Sequence, residues 1–387
     1  MKTGKLSLMI GLIAWALINQ ASAAGTFKIG LILPMTGRLS PPGTETYDGV
    51  ETYLATHGTT VAGKKIEIIL KDDGGVPDVT RRLAQELVVN DKVDALAGFT
   101  LTPCAASAAT IATAAKVPQI LMGAAGAHLT RISPYTVRVF ETMAQVASAM
   151  GQWAPRHRIK KVVTMVADYG PGHDVQKSFV RFFKENGGDV LANLRFPVST
   201  VDFAPFLQKA ADASPQAIYV FAPEGPAAAL IKQFNDRKLP ARGIKFIGSG
   251  DFASEEAVAA GEAQFALGVI TSQVYTPTLD TPVNKAFVAA YEKHADGVPP
   301  NVFGVVGYDG MNLIYKAIRA TKGSTDGTKL VDAMKGMSWD SPRGPIRIDP
   351  KTRDIIQNVY VREFKNIHGR AANMVIATYK GVDPAPR

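Results

Sequence analysis

A single cysteine stands in 387 residues. Cys104 has no partner within the chain, so a disulfide framework is excluded. Its neighbours Pro103, Ala105 and Ala106 include no base, and a small buried residue is expected there rather than a nucleophile. The six histidines are isolated from one another, with none of the spacings that hold a transition metal. Asp72 and Asp73 end a strand but lead into Gly74-Gly75, which offers no ligand ladder and reads as a turn. No Gly-x-Ser-x-Gly elbow occurs, and the end of the first apolar strand (LPMTGR, residues 33–38) lacks the glycine fingerprint of a dinucleotide site. Residues 58–65 (GTTVAGKK) imitate a phosphate loop over seven positions. Lys65 then replaces the required hydroxyl, and the segment runs from helix into strand, the wrong order. Nothing organises a nucleophile with a base, and no cofactor or metal is expected. Binding without chemistry is favoured.

Long apolar runs are also missing after residue 23. Lys2 and Lys5 precede the apolar stretch Leu6–Ile18, and Ala21-Ser22-Ala23 follows with the small-residue pattern of a signal-peptidase site. The stretch falls short of the ~20 residues a membrane-spanning helix needs. Export to the periplasm with cleavage after Ala23 is expected, with no membrane anchor. The remaining 364 residues, 387 less 23, suffice for two domains with their own cores. They carry 41 basic against 34 acidic residues, a net charge of +7. The densest basic cluster, Arg156 to Lys161, has no interleaved aromatics and reads as a solvated helix end, so no nucleic-acid partner is expected.

What is present is a regular alternation. Apolar strands at 27–33, 65–70, 93–97 and 117–122 are separated by helices near 44–57, 79–90 and 103–116. After 135–140 a second series follows: helix 143–156, strand 162–167, helix 173–186, strand 190–196, helix 203–213, strand 217–221, helix 226–235 and strand 246–248. Continuous apolar strands between helices indicate parallel sheets buried on both faces. Two such series predict two doubly wound α/β lobes. The tail adds a strand at 267–275, helices at 283–294 and 303–320, and a hairpin of 357–364 with 374–379.

Several stretches carry a family likeness in order along the chain: IGLILPMTG at 29–37, VAGKKIEIILKDDGG at 61–75, GFTLTPCAASAATIATAAKVPQIL at 98–121, VADYGPG at 166–172, FIGSGDF at 246–252, GVITSQVYTP at 268–277 and GYDGMNLIYKAI at 307–318. Over residues 26–380 the chain resembles the type I periplasmic binding proteins of the leucine/isoleucine/valine-binding family, which deliver ligands to the membrane permease of an ABC importer. The resemblance implies two Rossmann-like lobes joined by three crossover segments, 24–143 plus 276–345 and 144–275 plus 346–387. It implies a monomer that closes on a small-molecule carboxylate ligand held in the cleft between them.

By the same resemblance Thr102, four residues after Gly98, grips the ligand carboxylate, with Leu101, Gly123 and Ala125 beside it. A simpler role for Thr102 is to cap the following helix, with Pro103 at its first position. Tyr169 matches an aromatic residue that closes over the ligand, and Pro223 and Glu224 follow a strand end that reaches the cleft. Two departures from the amino-acid binders stand out. Ala125 occupies the place of a threonine that holds the ligand ammonium, and Gly250 occupies the place of a carboxylate, with Asp251 one residue later. The pattern suits an aromatic or apolar monocarboxylate, and the resemblance points to receptors for aromatic acids such as benzoates and phenylpropenoates. A branched-chain amino acid remains the alternative, if Asp251 substitutes. An exported Rossmann-type oxidoreductase is the alternative from another class.

Overall fold

The computed structural model describes residues 25–222, 224–250, 263–367 and 370–385. The leader and its cleavage site, Pro223 and Asp251 lie outside the described residues. No described helix is long and apolar enough to cross a membrane.

The first half of the chain runs β1 (Thr26–Leu33), α1 (Ser40–His57), β2 (Thr60–Val61), β3 (Lys64–Asp72), α2 (Pro77–Val89), β4 (Ala95–Gly98), α3 (Thr102–Ala115), β5 (Gln119–Leu121), α4 (Leu129–Ile132) and β6 (Thr136–Arg138). The second half begins with α5 (Met143–Arg156), β7 (Lys161–Ala167), α6 (Gly170–Glu185), β8 (Asp189–Phe196), α7 (Ala204–Asp212), β9 (Ala217–Phe221), α8 (Glu224–Asp236), β10 (Lys245–Ser249) and β11 (Ile270–Gln273). The tail comprises α9 (Pro282–His294), α10 (Val302–Ala320), α11 (Gly327–Met334), β12 (Ser338–Ser341), β13 (Gly344–Ile348), β14 (Ile355–Ile367) and β15 (Arg370–Val382).

Two sheets result, in the α/β architecture expected. The first has the order β2-β3-β1-β4-β5-β6, parallel except at the short β2. The second is mixed, β12-β13-β14-β11-β10-β9-β7-β8, with β15 also paired to β14. Its β11-β10-β9-β7-β8 portion is parallel, and β11 meets β14 antiparallel. Apolar strands such as β9, buried along its whole length, need helices on both faces to exclude water. Helices α9 and α10 pack on α1, so the tail returns to the first sheet before β12 joins the second.

Strand order places the binding region. In the first sheet β1 lies between β3 and β4, so successive connections leave on opposite sides; β7, between β8 and β9, does the same in the second. At such switch points the loops at the carboxyl ends diverge and leave a crevice. The loops after β4 and β5, and those after β7, β9 and β10, carry the positions marked in the sequence.

Candidate functional site

Gly98, the last residue of β4, and Phe99 after it both have unusual backbone. Gly98 has φ of +102°, and a Cβ there would lie 2.3 Å from the Ile32 carbonyl oxygen. Phe99 is left-handed too, at φ +65°, fully buried, with its N–H donating to the Ile32 carbonyl at 2.9 Å. For a bulky side chain this conformation is costly, of order 1–3 kcal/mol, and such residues concentrate at functional sites. The turn ends the strand abruptly and leads the chain through Thr100 and Leu101 into α3. Thr100 is 8% exposed, and its hydroxyl has no hydrogen-bond partner among the described residues.

Thr102 does not cap α3. Leu101 occupies the capping position without a side-chain bond, Thr102 is the first helical residue and Pro103 the second. The Thr102 hydroxyl oxygen instead accepts the Gly126 N–H at 3.1 Å, from the loop after β5. That bond fixes the oxygen and fills one of its two acceptor positions, and the hydroxyl has a proton to give to an outside group. A helix start supplies further unpaired N–H groups and a favourable dipole for negative charge.

The loop after β5 has no room for side chains on this side. A Cβ on Gly123 would sit 2.8 Å from the Thr100 Cα, and one on Gly126 would sit 2.5 Å from the Thr102 methyl. Ala125, 8% exposed, brings no hydrogen-bonding side chain. Behind the loop the Gly126 carbonyl accepts from Arg138 Nη2 at 2.7 Å. Arg138 is fully buried and paired through Nε with Asp354 at 2.8 Å. Burial pulls the guanidinium pKa down, and Asp354 works against that shift.

The second group gathers at the ends of β7, β9 and β10. Tyr169 precedes α6 and stacks on Phe221, with ring centroids 6.1 Å apart and planes 18° from parallel. Desolvation pushes its phenol pKa up, so the hydroxyl keeps its proton at neutral pH. Gly250, at φ +85°, donates its N–H to the Ser272 carbonyl at 3.0 Å. A Cβ on Gly250 would stand 3.2 Å from the Phe221 ring. Tyr169, Phe221 and Gly250 thus form a flat wall. Glu224 is the first residue of α8.

The structure therefore brings Leu101, Thr102, Gly123 and Ala125 together at the first sheet, and Tyr169 with Gly250 at the second. Phe221, Gly126 and Arg138 were missed in the sequence. Asp72 and Asp73 are turn residues as expected: Asp72 accepts from Met35 N–H, Thr36 and Gly74 N–H, and Asp73 from Gly75 N–H and Thr80. No cluster of potential metal ligands occurs among the described residues. A groove of about 580 Å³ between α6 and β8, lined by His173, Lys177, Arg181 and Arg195, includes none of these positions.

Residues 26–370 match the family model for periplasmic binding proteins. The chain belongs to this family. Its members are non-enzymatic, and this chain is the solute-binding protein of an ABC transporter. A Leu/Ile/Val-binding protein homolog 6 of Brucella abortus is 38% identical over 378 residues, 96% of each chain. A solute-binding protein from Rhodopseudomonas palustris BisB5, solved with 3,4-dihydroxybenzoic acid, is 46% identical. It superposes with a TM-score of 0.88 over 93% of this chain and 98% of its own. A second, from R. palustris HaA2 with p-hydroxybenzoic acid, is 38% identical, with a TM-score of 0.88 and the same coverage.

Proposed function

We propose that this binding protein captures a benzoate-type aromatic monocarboxylate between its two lobes and hands it to the importer's permease. The observation that carries the reading is the Thr102 hydroxyl, fixed by the Gly126 N–H with its proton to give, beside an alanine that offers an ammonium ion no side-chain acceptor. A carboxylate accepts from Thr102 and the start of α3. The ring stacks on the Tyr169–Phe221 wall, where apolar burial contributes ~25 cal/mol per Å². An α-ammonium group entering the same place loses water without compensation, which costs several kcal/mol. The aromatic acids bound by the two R. palustris relatives support this reading.

Leu101, Gly123 and Ala125 line the ligand on the first lobe, and Pro223, Glu224 and Gly250 on the second, with lobe boundaries near 143, 275 and 345. The protein works in the periplasm after loss of residues 1–23. Ligand contacts on both lobes favour the closed form, so saturating ligand lowers the radius of gyration in solution scattering.

Titration calorimetry of the mature protein with benzoate, 4-hydroxybenzoate, 3,4-dihydroxybenzoate, leucine, isoleucine and valine tests the reading. Tight binding of an aromatic acid and weak binding of the amino acids is expected. The name of the B. abortus relative favours the second reading, a branched-chain amino-acid receptor in which Asp251 accepts the ammonium. Tight leucine binding with no response to the aromatic acids establishes that reading instead.

A further inference from the structure

We propose that Arg138 is the positioning residue that holds the Thr102 hydroxyl in place for the ligand, acting through Gly126 and anchored by Asp354. The proposal rests on the reading that the cleft holds a carboxylate. Four residues form one chain of contacts. The Asp354 carboxylate holds Arg138 Nε at 2.8 Å, Arg138 Nη2 donates to the Gly126 carbonyl at 2.7 Å, and the Gly126 N–H donates to Thr102 at 3.1 Å. The outer end is itself fixed. Asp354 accepts from the Thr130 hydroxyl at 2.9 Å through its other oxygen, Arg353 donates to the Thr130 carbonyl, and the Arg138 N–H donates to the Arg353 carbonyl at 3.0 Å. The segment after β5 is thus held at Gly126 by Arg138 and at Thr130 by Arg353 and Asp354, the two residues that precede β14.

The physical reason for such a clamp lies in the weakest member. A hydrogen bond of 3.1 Å to a glycine N–H, in a loop with almost no side chains, is easily lost when the loop shifts. Gly126 has no side chain to hold its place, and none fits: its Cβ would collide with Thr102. Its position must be set through its carbonyl, and Arg138 supplies that contact. If Gly126 withdraws, the Thr102 hydroxyl loses the bond that fixes its oxygen, and its proton is no longer aimed at the ligand carboxylate. The charged neighbourhood of Arg138 also includes Glu141 and Arg131, which act on it in opposite directions.

A double-mutant cycle tests the assignment. Arg138→Lys keeps the charge but replaces the rigid planar fork with three donors on one mobile nitrogen, which does not hold Asp354 and the Gly126 carbonyl in the same fixed geometry. Affinity for 4-hydroxybenzoate is measured by calorimetry for the wild type, Arg138→Lys, Thr102→Ala and the double variant, with folding checked by circular dichroism. Each single change is expected to weaken binding on the order of tenfold or more. The double variant is expected to be no weaker than the worse single one, because both remove the same interaction. A general loosening of the fold gives losses that multiply instead, and that result, or unchanged binding by Arg138→Lys, overturns the proposal. If Arg138→Lys does not fold, Asp354→Asn takes its place in the cycle with the same expectation. Failure of both to fold makes Arg138 a structural support only and also overturns it. If the wild type binds leucine and no aromatic acid, the aromatic reading fails. The same cycle run with leucine, which carries a carboxylate too, then decides the role of Arg138 separately.

Discussion

Arg343 and Asp309, both without solvent exposure, are joined at 2.9 Å and lie where the chain passes between its two sheets. Asp309 on α10 also accepts from Trp339 Nε1 at 2.9 Å and Ser341 at 2.7 Å. Arg343 reaches Gln357 on β14 at 2.8 Å and the Val139 carbonyl just after β6. Gln357 in turn donates to Gln145 on α5 at 3.1 Å. One guanidinium thus ties together the segments near 139, 343 and 357. Replacing it by methionine leaves Asp309 buried and short of its cation, a loss of about 3–5 kcal/mol. Arg343→Met is expected to unfold at a much lower denaturant concentration, as followed by circular dichroism.

Thr102→Ala removes one donor to a charged acceptor without touching a helix cap. Ligand binding is expected to weaken by about 1.5–3 kcal/mol, measured by calorimetry. Thermal melts without ligand are expected to fall only slightly, since the change also removes the bond from the Gly126 N–H, worth about 1 kcal/mol. A large fall in melting temperature would mean that the hydroxyl serves the fold instead.

Gly250→Ala places a Cβ at φ +85° and 3.2 Å from Phe221. The backbone cost is about 1–2 kcal/mol, and the ring must give way. Lower stability together with weaker binding of aromatic acids is expected, read by melting and calorimetry on the same preparation.

Burial pushes the Cys104 thiol pKa up to about 11 from 9.0. Because the folded value is the higher one, the thiol contributes stability below pH 9 that is lost as pH rises through about 11. At pH 8 roughly one thiol in a thousand is ionised in the folded protein. Ellman's reagent is expected to label native protein very slowly and urea-unfolded protein at once.

Much of the fold was legible because strand and helix carry different apolar periods. Helix α5 is found at 143–156 as expected; the Thr142 and Gln145 capping box marks its start. Strand β9 coincides with the apolar run 217–221. The hairpin was expected to be shorter, since β14 and β15 extend through polar residues whose backbone pairing needs no apolar pattern. Helix α11 and strands β12 and β13 went unread. Asp326 does cap α11, accepting from Thr328 and Lys329 N–H, but eight residues are too few for a clear period. Residues 338–348 contain prolines, a glycine and charges, and become strands only by pairing at the sheet's end. In the site, Thr102 and Tyr169 stood in recognisable local patterns. Gly126, Arg138 and Phe221 did not, because their roles arise from contacts with distant segments: Arg138 with Asp354, and Phe221 with Tyr169 and Gly250.

The buried solitary thiol has a practical consequence for measurement. Since Cys104 neither pairs nor presents itself to reagents, the exterior is free of native thiols among the described residues. A cysteine introduced on the rim of each lobe would be the sole target for a maleimide dye, with no background substitution required. Energy transfer between two such dyes converts lobe movement into an optical signal, and the protein becomes a reporter for the solute it binds.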